Sequence, residues 1–209
     1  TFNPDWMKAF RKGLQKIPKE FHFPLIGGDL VKGPLQISVT VLGKPEKKIL
    51  QRSNAKPGDI LCLSQPLGSG YIGLKEYKRS GELNKITKPY LFPSAQIAYG
   101  RMIATLASSA IDISDGILQD LGHLVESSGV GCNLDLDQVP VADKQYAKQC
   151  LEFGDDYQLL FTVRPKKLLA LQAKVNSCKK KCHTIGVMSG KKLRLTNNKG
   201  SIKNWDHFQ

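Results

Sequence analysis

Apolar Trp6, Phe10, Leu14 and Ile17 recur at helical spacing behind Asn3 and Pro4, a capping residue followed by a proline suited to a first helical turn. The pattern predicts a helix over residues 4–19. From Leu35 the period changes: Leu35, Ile37, Val39 and Val41 alternate with Gln36, Ser38 and Thr40, which predicts a strand with one buried face ending at Gly43. The charged Pro/Gly stretch 43–48 then reads as a domain boundary. Beyond it the pattern predicts strand 60–64, a helix running toward Lys78, helix 95–107, strand 110–113 and helix 117–127. Strand 133–136, helix 142–151, strand 157–163, helix 166–175 and strands near 184–187 and 191–196 follow. This is an α+β fold in α/β layers. Residues 1–43 are expected to be the end of an amino-terminal domain, and 44–209 a complete domain with a mixed sheet flanked by helices.

The chain has 209 residues and is 41% apolar, enough to bury a core, and its apolar runs are too interrupted to span a bilayer. No export signal opens it, so a cytoplasmic setting without membrane association is expected. Cys62, Cys132, Cys150, Cys178 and Cys182 form no C-x-x-C pair, which fits reduced thiols; Cys178 and Cys182 flank Lys179, Lys180 and Lys181 and read as inert. The net charge of +13 favours a polyanionic partner. Charge alone does not choose among nucleic acid, an acidic membrane surface and a phosphorylated small molecule; the lysines are scattered without the interleaved aromatics of a stacking platform, and most read as solvated faces.

Four segments carry candidate chemistry. Gly68-Ser69-Gly70-Tyr71-Ile72-Gly73 matches G-x-G-x-x-G, but no second parallel strand with a terminal acid follows, so it reads as a helix-opening turn rather than a dinucleotide site. Gly27-Gly28-Asp29, followed by Lys32-Gly33-Pro34, puts a carboxylate in a glycine turn whose amides can approach phosphate while Asp29 holds a cation. In 110–116, Asp112 sits between two isoleucines, and Ser114 and Asp115 open a helix. These hard oxygen ligands suit Mg²⁺, next to a helix start that favours phosphate. Gly154-Asp155-Asp156-Tyr157 adds an acidic pair ahead of an apolar strand.

Taken together with Arg52-Ser53-Asn54-Ala55-Lys56-Pro57-Gly58-Asp59, Asp120-Leu121-Gly122-His123 and Trp205-Asp206-His207-Phe208, these segments stand in the order found in the thiamine-monophosphate kinase family. The chain resembles that family over nearly its whole length and is expected to lack the family's amino-terminal segment. By fold the resemblance extends to the aminoimidazole ribonucleotide synthetase-like ATP enzymes. The resemblance implies transfer of the γ-phosphoryl of ATP onto thiamine monophosphate with Mg²⁺, in a protein that is a homodimer at full length. By match to the family's motifs, Asp29, Asp112 and Asp115 are metal ligands and catalytic. Gly28, Asp29, Arg52 and Ser114 contact the nucleotide, and Asp155 and Trp205 contact the substrate. Leu30, Val31 and Lys32 stand where the family usually has two threonines and an arginine, and Asp155 where it usually has glutamate. Two other readings stand beside this one: a different ATP-using enzyme of the same superfamily, and a basic nucleic-acid-binding module.

Overall fold

The computed structural model describes residues 3–45, 48–190 and 192–196. It divides into two compact units, 1–43 and 44–209. In the first, α1 (Pro4–Leu14) is capped by Asn3, whose side-chain oxygen accepts the N–H groups of Asp5 and Trp6 at 3.0 Å each. Trp6 stacks on Phe10 with ring centroids 5.3 Å apart. The single helix expected over 4–19 is two, because α2 (Lys16–Phe21) contains Pro18, which has no N–H to donate to the carbonyl one turn back. The strand expected at 35–41 is not formed. Leu35, Ile37, Val39 and Val41 are exposed, and no described strand pairs with them. Alternation alone does not make a strand; its amides need a ladder partner.

The second unit is built on a six-stranded sheet: β1 (Ile60–Leu63), β2 (Ala107–Ile113), β3 (Gly131–Asp135), β4 (Gln158–Val163), β5 (His183–Ser189) and β6 (Arg194–Thr196). The spatial order is β2-β4-β1-β5-β3-β6, antiparallel throughout except for the parallel pair β3/β6. Because side chains alternate along a strand, each face of the sheet builds its own core. One holds Leu61, Leu63, Ile111, Ile113 and Leu160 with Ile117, Leu121 and Leu124 of α6 (Ile117–Ser128). The other holds Cys62, Phe161 and Val163 with Tyr99 and Ile103 of α5 (Ile97–Ile103) and Leu171 and Val175 of α8 (Pro165–Ser177). The result is the mixed sheet flanked by helices that the sequence predicts.

The described elements depart most from the sequence reading in three places. α5 stops at Ile103 and β2 begins at Ala107, because Ser108 and Ser109, which look like a polar break, are strand residues. The buried Ser109 hydroxyl is satisfied across the ladder by Thr162 at 2.8 Å. The short α4 (Lys88–Leu91) lies in a proline-bounded stretch that carries no apolar period. The helix expected over 142–151 is a 3-10 turn capped by Asp143, followed by α7 (Ala147–Glu152). No described helix is long and apolar enough to cross a membrane.

Candidate active site

The carboxyl-terminal end of β2 and the amino-terminal end of β4 meet in an antiparallel ladder that sets Ile113 opposite Gln158. Two acidic loops therefore emerge side by side, 114–116 after β2 and 154–157 before β4. They are tied directly, since Asp155 N–H donates to the Ser114 carbonyl at 2.9 Å and Tyr157 N–H to the Ile113 carbonyl at 2.8 Å. The backbones run so close that a β-carbon on Gly154 would overlap the Ser114 carbonyl oxygen, so only glycine fits. Asp155 and Tyr157 both hold left-handed backbone conformations, with φ of 58° and 51°. For residues with a β-carbon that conformation is strained by about 1–2 kcal/mol, and the two inter-loop bonds offset it.

The two loops are also held from below by buried carboxylates. Asp120, in the first turn of α6, accepts the N–H groups of Ser114 and Asp115 at 3.0 Å each. Burial pushes its carboxyl above the usual range; the two amides pull it back, and the charges of Asp115 and Asp112 add to the rise. Asp156 is buried too and accepts Gly68 N–H at 2.6 Å and Gly70 N–H at 3.1 Å. Burial raises its pKa to about 6, despite the amides of Gly68, Gly70 and Ser69. The glycine motif before α3 (Ser69–Ser80) is thus filled from within the protein: its amides hold Asp156, and Gly68 takes a φ of 98°. β1 pairs antiparallel with both β4 and β5, so the strand before this turn has no parallel neighbour of the dinucleotide-binding kind among the described residues.

Asp112 alternates with its isoleucine neighbours instead of joining them in the core. β2 is an edge strand, and while Ile111 and Ile113 enter the core, Asp112 is exposed on the opposite face. There it lines an open cavity of about 950 Å³ together with Lys44, Lys48, Arg52 and Arg101. Lys48 donates to the Ala107 carbonyl at 3.1 Å, and Arg52 sits in a 3-10 turn (Arg52–Asn54) whose carbonyl accepts the Ser128 hydroxyl at 2.6 Å. The structure brings Arg52 and Asp112 into one cavity. Around the corner, Tyr157 donates its hydroxyl to Asp155 at 3.0 Å. Its pKa is pushed up to about 12, by burial first, then by that hydrogen bond and the charges of Asp155, Asp112 and Asp115. Those three carboxylates therefore share one electrostatic neighbourhood. A second cavity, of about 250 Å³, is lined by Asp155, Asp156, Lys85, Lys88 and Phe92.

Gly28 and Asp29 belong to the first unit, where the exposed Asp29 side chain accepts the Leu30 N–H at 2.7 Å. Trp205 lies outside the described residues. Within the second unit no group of three His, Cys, Asp or Glu side chains among the described residues is arranged to hold a metal by itself. Sequence reasoning quoted Asp120 and Asp156 within motifs but gave neither a role, and it passed over Lys48 and Arg101. Asp120 left a usable signal, an acid in the first turn of a helix four residues past Gly116.

Comparison with known proteins fits this geometry. Residues 56–196 match the family described as AIR synthase related protein, C-terminal domain. The thiamine-monophosphate kinase of Buchnera aphidicola subsp. Schizaphis graminum is 33% identical over 224 aligned positions, covering 97% of this chain and 69% of the relative. That of Haemophilus influenzae is 30% identical, covering 98% and 70%, and that of Escherichia coli K12 is 34% identical, covering 76% and 53%. The chain thus spans between about half and 70% of the length of these relatives. Among solved structures, thiamine-monophosphate kinase from Stenotrophomonas maltophilia superposes with a TM-score of 0.78 at 27% identity, covering 97% of this chain and 70% of that one. AaThiL complexed with AMPPCP and TMP superposes at 0.75 with 24% identity, covering 99% and 70%. The chain belongs to the thiamine-monophosphate kinase family, within the AIR synthase related proteins.

Proposed function

We propose that the protein is a kinase that transfers the γ-phosphoryl group of ATP in line onto the phosphate of thiamine monophosphate, giving thiamine diphosphate and ADP. The observation that carries the reading is the shared cavity whose lining holds the cationic Lys44, Lys48, Arg52 and Arg101 together with the carboxylate of Asp112. Polyphosphate is the ligand class that answers such a lining, because the cations neutralise it while the carboxylate calls for a metal between. AaThiL is complexed with AMPPCP and TMP, and the reading gives this chain the corresponding pair, ATP and thiamine monophosphate.

Asp29, Asp112 and Asp115 are the side chains that would hold Mg²⁺. The fit rests on donor chemistry: Asp112, Asp115 and Asp155 together raise the Tyr157 pKa, so this neighbourhood is rich in hard anionic oxygen. When bound, Mg²⁺ supplies neutralisation of the phosphate charge during transfer. The residues of the chain do the rest. Arg52, with Gly28, Asp29 and Ser114, contacts and orients the nucleotide; the guanidinium offers paired donors to a phosphate. Asp155 receives the cationic substrate, and its orientation is fixed by Tyr157 Oη and by its own N–H on Ser114. Trp205 stacks on a substrate ring. A homodimer and a cytoplasmic setting belong to the same proposal.

The test is Asp112→Asn. Thiamine diphosphate formed from ATP, Mg²⁺ and thiamine monophosphate is quantified by chromatography. Because Asp112 is exposed, the variant keeps its circular dichroism and loses turnover. Undiminished turnover would remove Asp112 from the chemistry. Turnover by the native protein with another phosphorylated acceptor in place of thiamine monophosphate would point to a different enzyme on the same scaffold.

A further inference from the structure

Cys62 and Cys182 are 120 positions apart in sequence, and no spacing rule connects them. The fold does. β1 and β5 pair antiparallel with Cys62 opposite Thr184 and Leu63 opposite His183. Residues two apart on a strand share a face, so Cys182 is the diagonal neighbour of Cys62 on that face. Both pack into the apolar cluster of Tyr99 and Phe161. The Tyr99 hydroxyl donates to the Lys181 carbonyl at 2.7 Å and so fixes the residue preceding Cys182. Cys62 is fully buried and Cys182 half-buried.

The two thiols are electronically unequal. The Cys62 thiol donates to the Ile60 carbonyl at 3.9 Å, and the neighbouring Cys182, with burial, raises the pKa of Cys62, while Cys62 in turn lowers that of Cys182. The thiolate therefore forms first on the more accessible sulfur, and that sulfur follows Lys179, Lys180 and Lys181 directly in the chain. A nucleophilic outer thiol backed by a buried second thiol is the arrangement that turns oxidation into disulfide formation rather than over-oxidation.

We propose that Cys62 and Cys182 form a redox modification site, oxidised by a hydroperoxide to a reversible disulfide that ties β1 to the start of β5. The Cys182 thiolate attacks one peroxide oxygen, the O–O bond breaks, and the leaving oxygen departs as water after taking a proton, with Cys182 now a sulfenic acid. The Cys62 sulfur then attacks the Cys182 sulfur, the S–O bond breaks, and the hydroxyl leaves as a second water with the Cys62 proton. Two thiols have lost two electrons, and one peroxide has become two waters, or one water and one alcohol for an organic hydroperoxide. A small dithiol reverses the step by exchange.

The experiment uses the whole chain carrying Cys178→Ser, which removes the exposed thiol, treated with hydrogen peroxide. It is then alkylated with N-ethylmaleimide and digested without reduction for mass spectrometry. The expected product is a peptide pair cross-linked through Cys62 and Cys182, two hydrogens lighter and released by dithiothreitol. Closing a loop of about 120 residues should raise the thermal midpoint by about 5 °C or more. With Cys182→Ser added, the cross-link and the rise both vanish. Recovery of Cys62 in alkylated form beside Cys182 sulfinic acid, or Cys182 joined to any other cysteine, overturns the proposal.

Discussion

Replacing Asp156 by asparagine tests the balance between burial and amide donation on which the glycine turn rests. Asp156 gives one carboxylate oxygen to Gly68 N–H and the other to Gly70 N–H, and its pKa moves from 3.8 to about 6 on folding. Because the folded value lies above the unfolded one, protons bind the folded state more tightly. The stabilisation is complete below about pH 3.8 and lost as the pH rises through about 6. A shift of this size amounts to about 3 kcal/mol in all, of which about 1.4 kcal/mol separates pH 8 from pH 5. The Asp156→Asn variant has one acceptor oxygen for two amides, a loss of about 1–3 kcal/mol, but that loss does not vary with pH. Urea unfolding of both proteins, followed by far-ultraviolet circular dichroism at pH 5 and pH 8, therefore gives a double difference in which other titrating groups cancel. The native protein should gain about 1.4 kcal/mol relative to the variant on going to pH 5. A flat difference, or one that shrinks toward acid, would mean that the amides outweigh desolvation and would refute the reasoning.

Three further outcomes follow from the site. Arg52→Lys keeps the charge but loses the paired donors, so nucleotide affinity measured by titration calorimetry should fall about tenfold, or ~1.4 kcal/mol. Gly154→Ala drives a methyl group into the Ser114 carbonyl and should destabilise the fold by about 1–3 kcal/mol in urea, while Gly58→Ala, which meets no neighbouring atom but has a φ of 87°, reports the effect of backbone strain alone. If Trp205 has the proposed role, stacking on the substrate ring is worth about 1–2 kcal/mol, so Trp205→Ala should raise KM for thiamine monophosphate several-fold and leave KM for ATP nearly unchanged; equal effects on both would give Trp205 a structural role.

The strands of the second unit were legible because their alternation is strong and their partners lie within the chain. Residues 35–41 alternate just as strongly and form no strand, since pairing is a property of two segments and the sequence displays one at a time. Asp112 shows the same limit in a finer form. Its place between two isoleucines marks it as unusual, yet whether it faces core or solvent depends on β2 being the edge of the sheet, which only topology decides. Motif order picked out Asp112, Ser114, Asp115 and Asp155, and the fold sets their two loops side by side. It gave no hint that Asp156 is the buried partner of the glycine turn, nor that Lys48 and Arg101 line the cavity with Arg52, because those relations join segments distant in sequence.

The ladder between β2 and β4 also has a consequence for the order of events in folding. It pairs Ala107 with Val163 and Ile113 with Gln158, residues separated by about fifty positions, with α6, β3 and α7 lying between them in the chain. Neither acidic loop can take its final shape until that ladder closes, because each uses the carbonyls and amides of the other. Both loops therefore take shape together with that ladder, whose partners lie closer in sequence than those of β1 with β4 or with β5, roughly 100 and 120 positions apart. A ligand bound there adds to contacts the ladder already holds in place, so it stabilises the two loops as one unit against local opening.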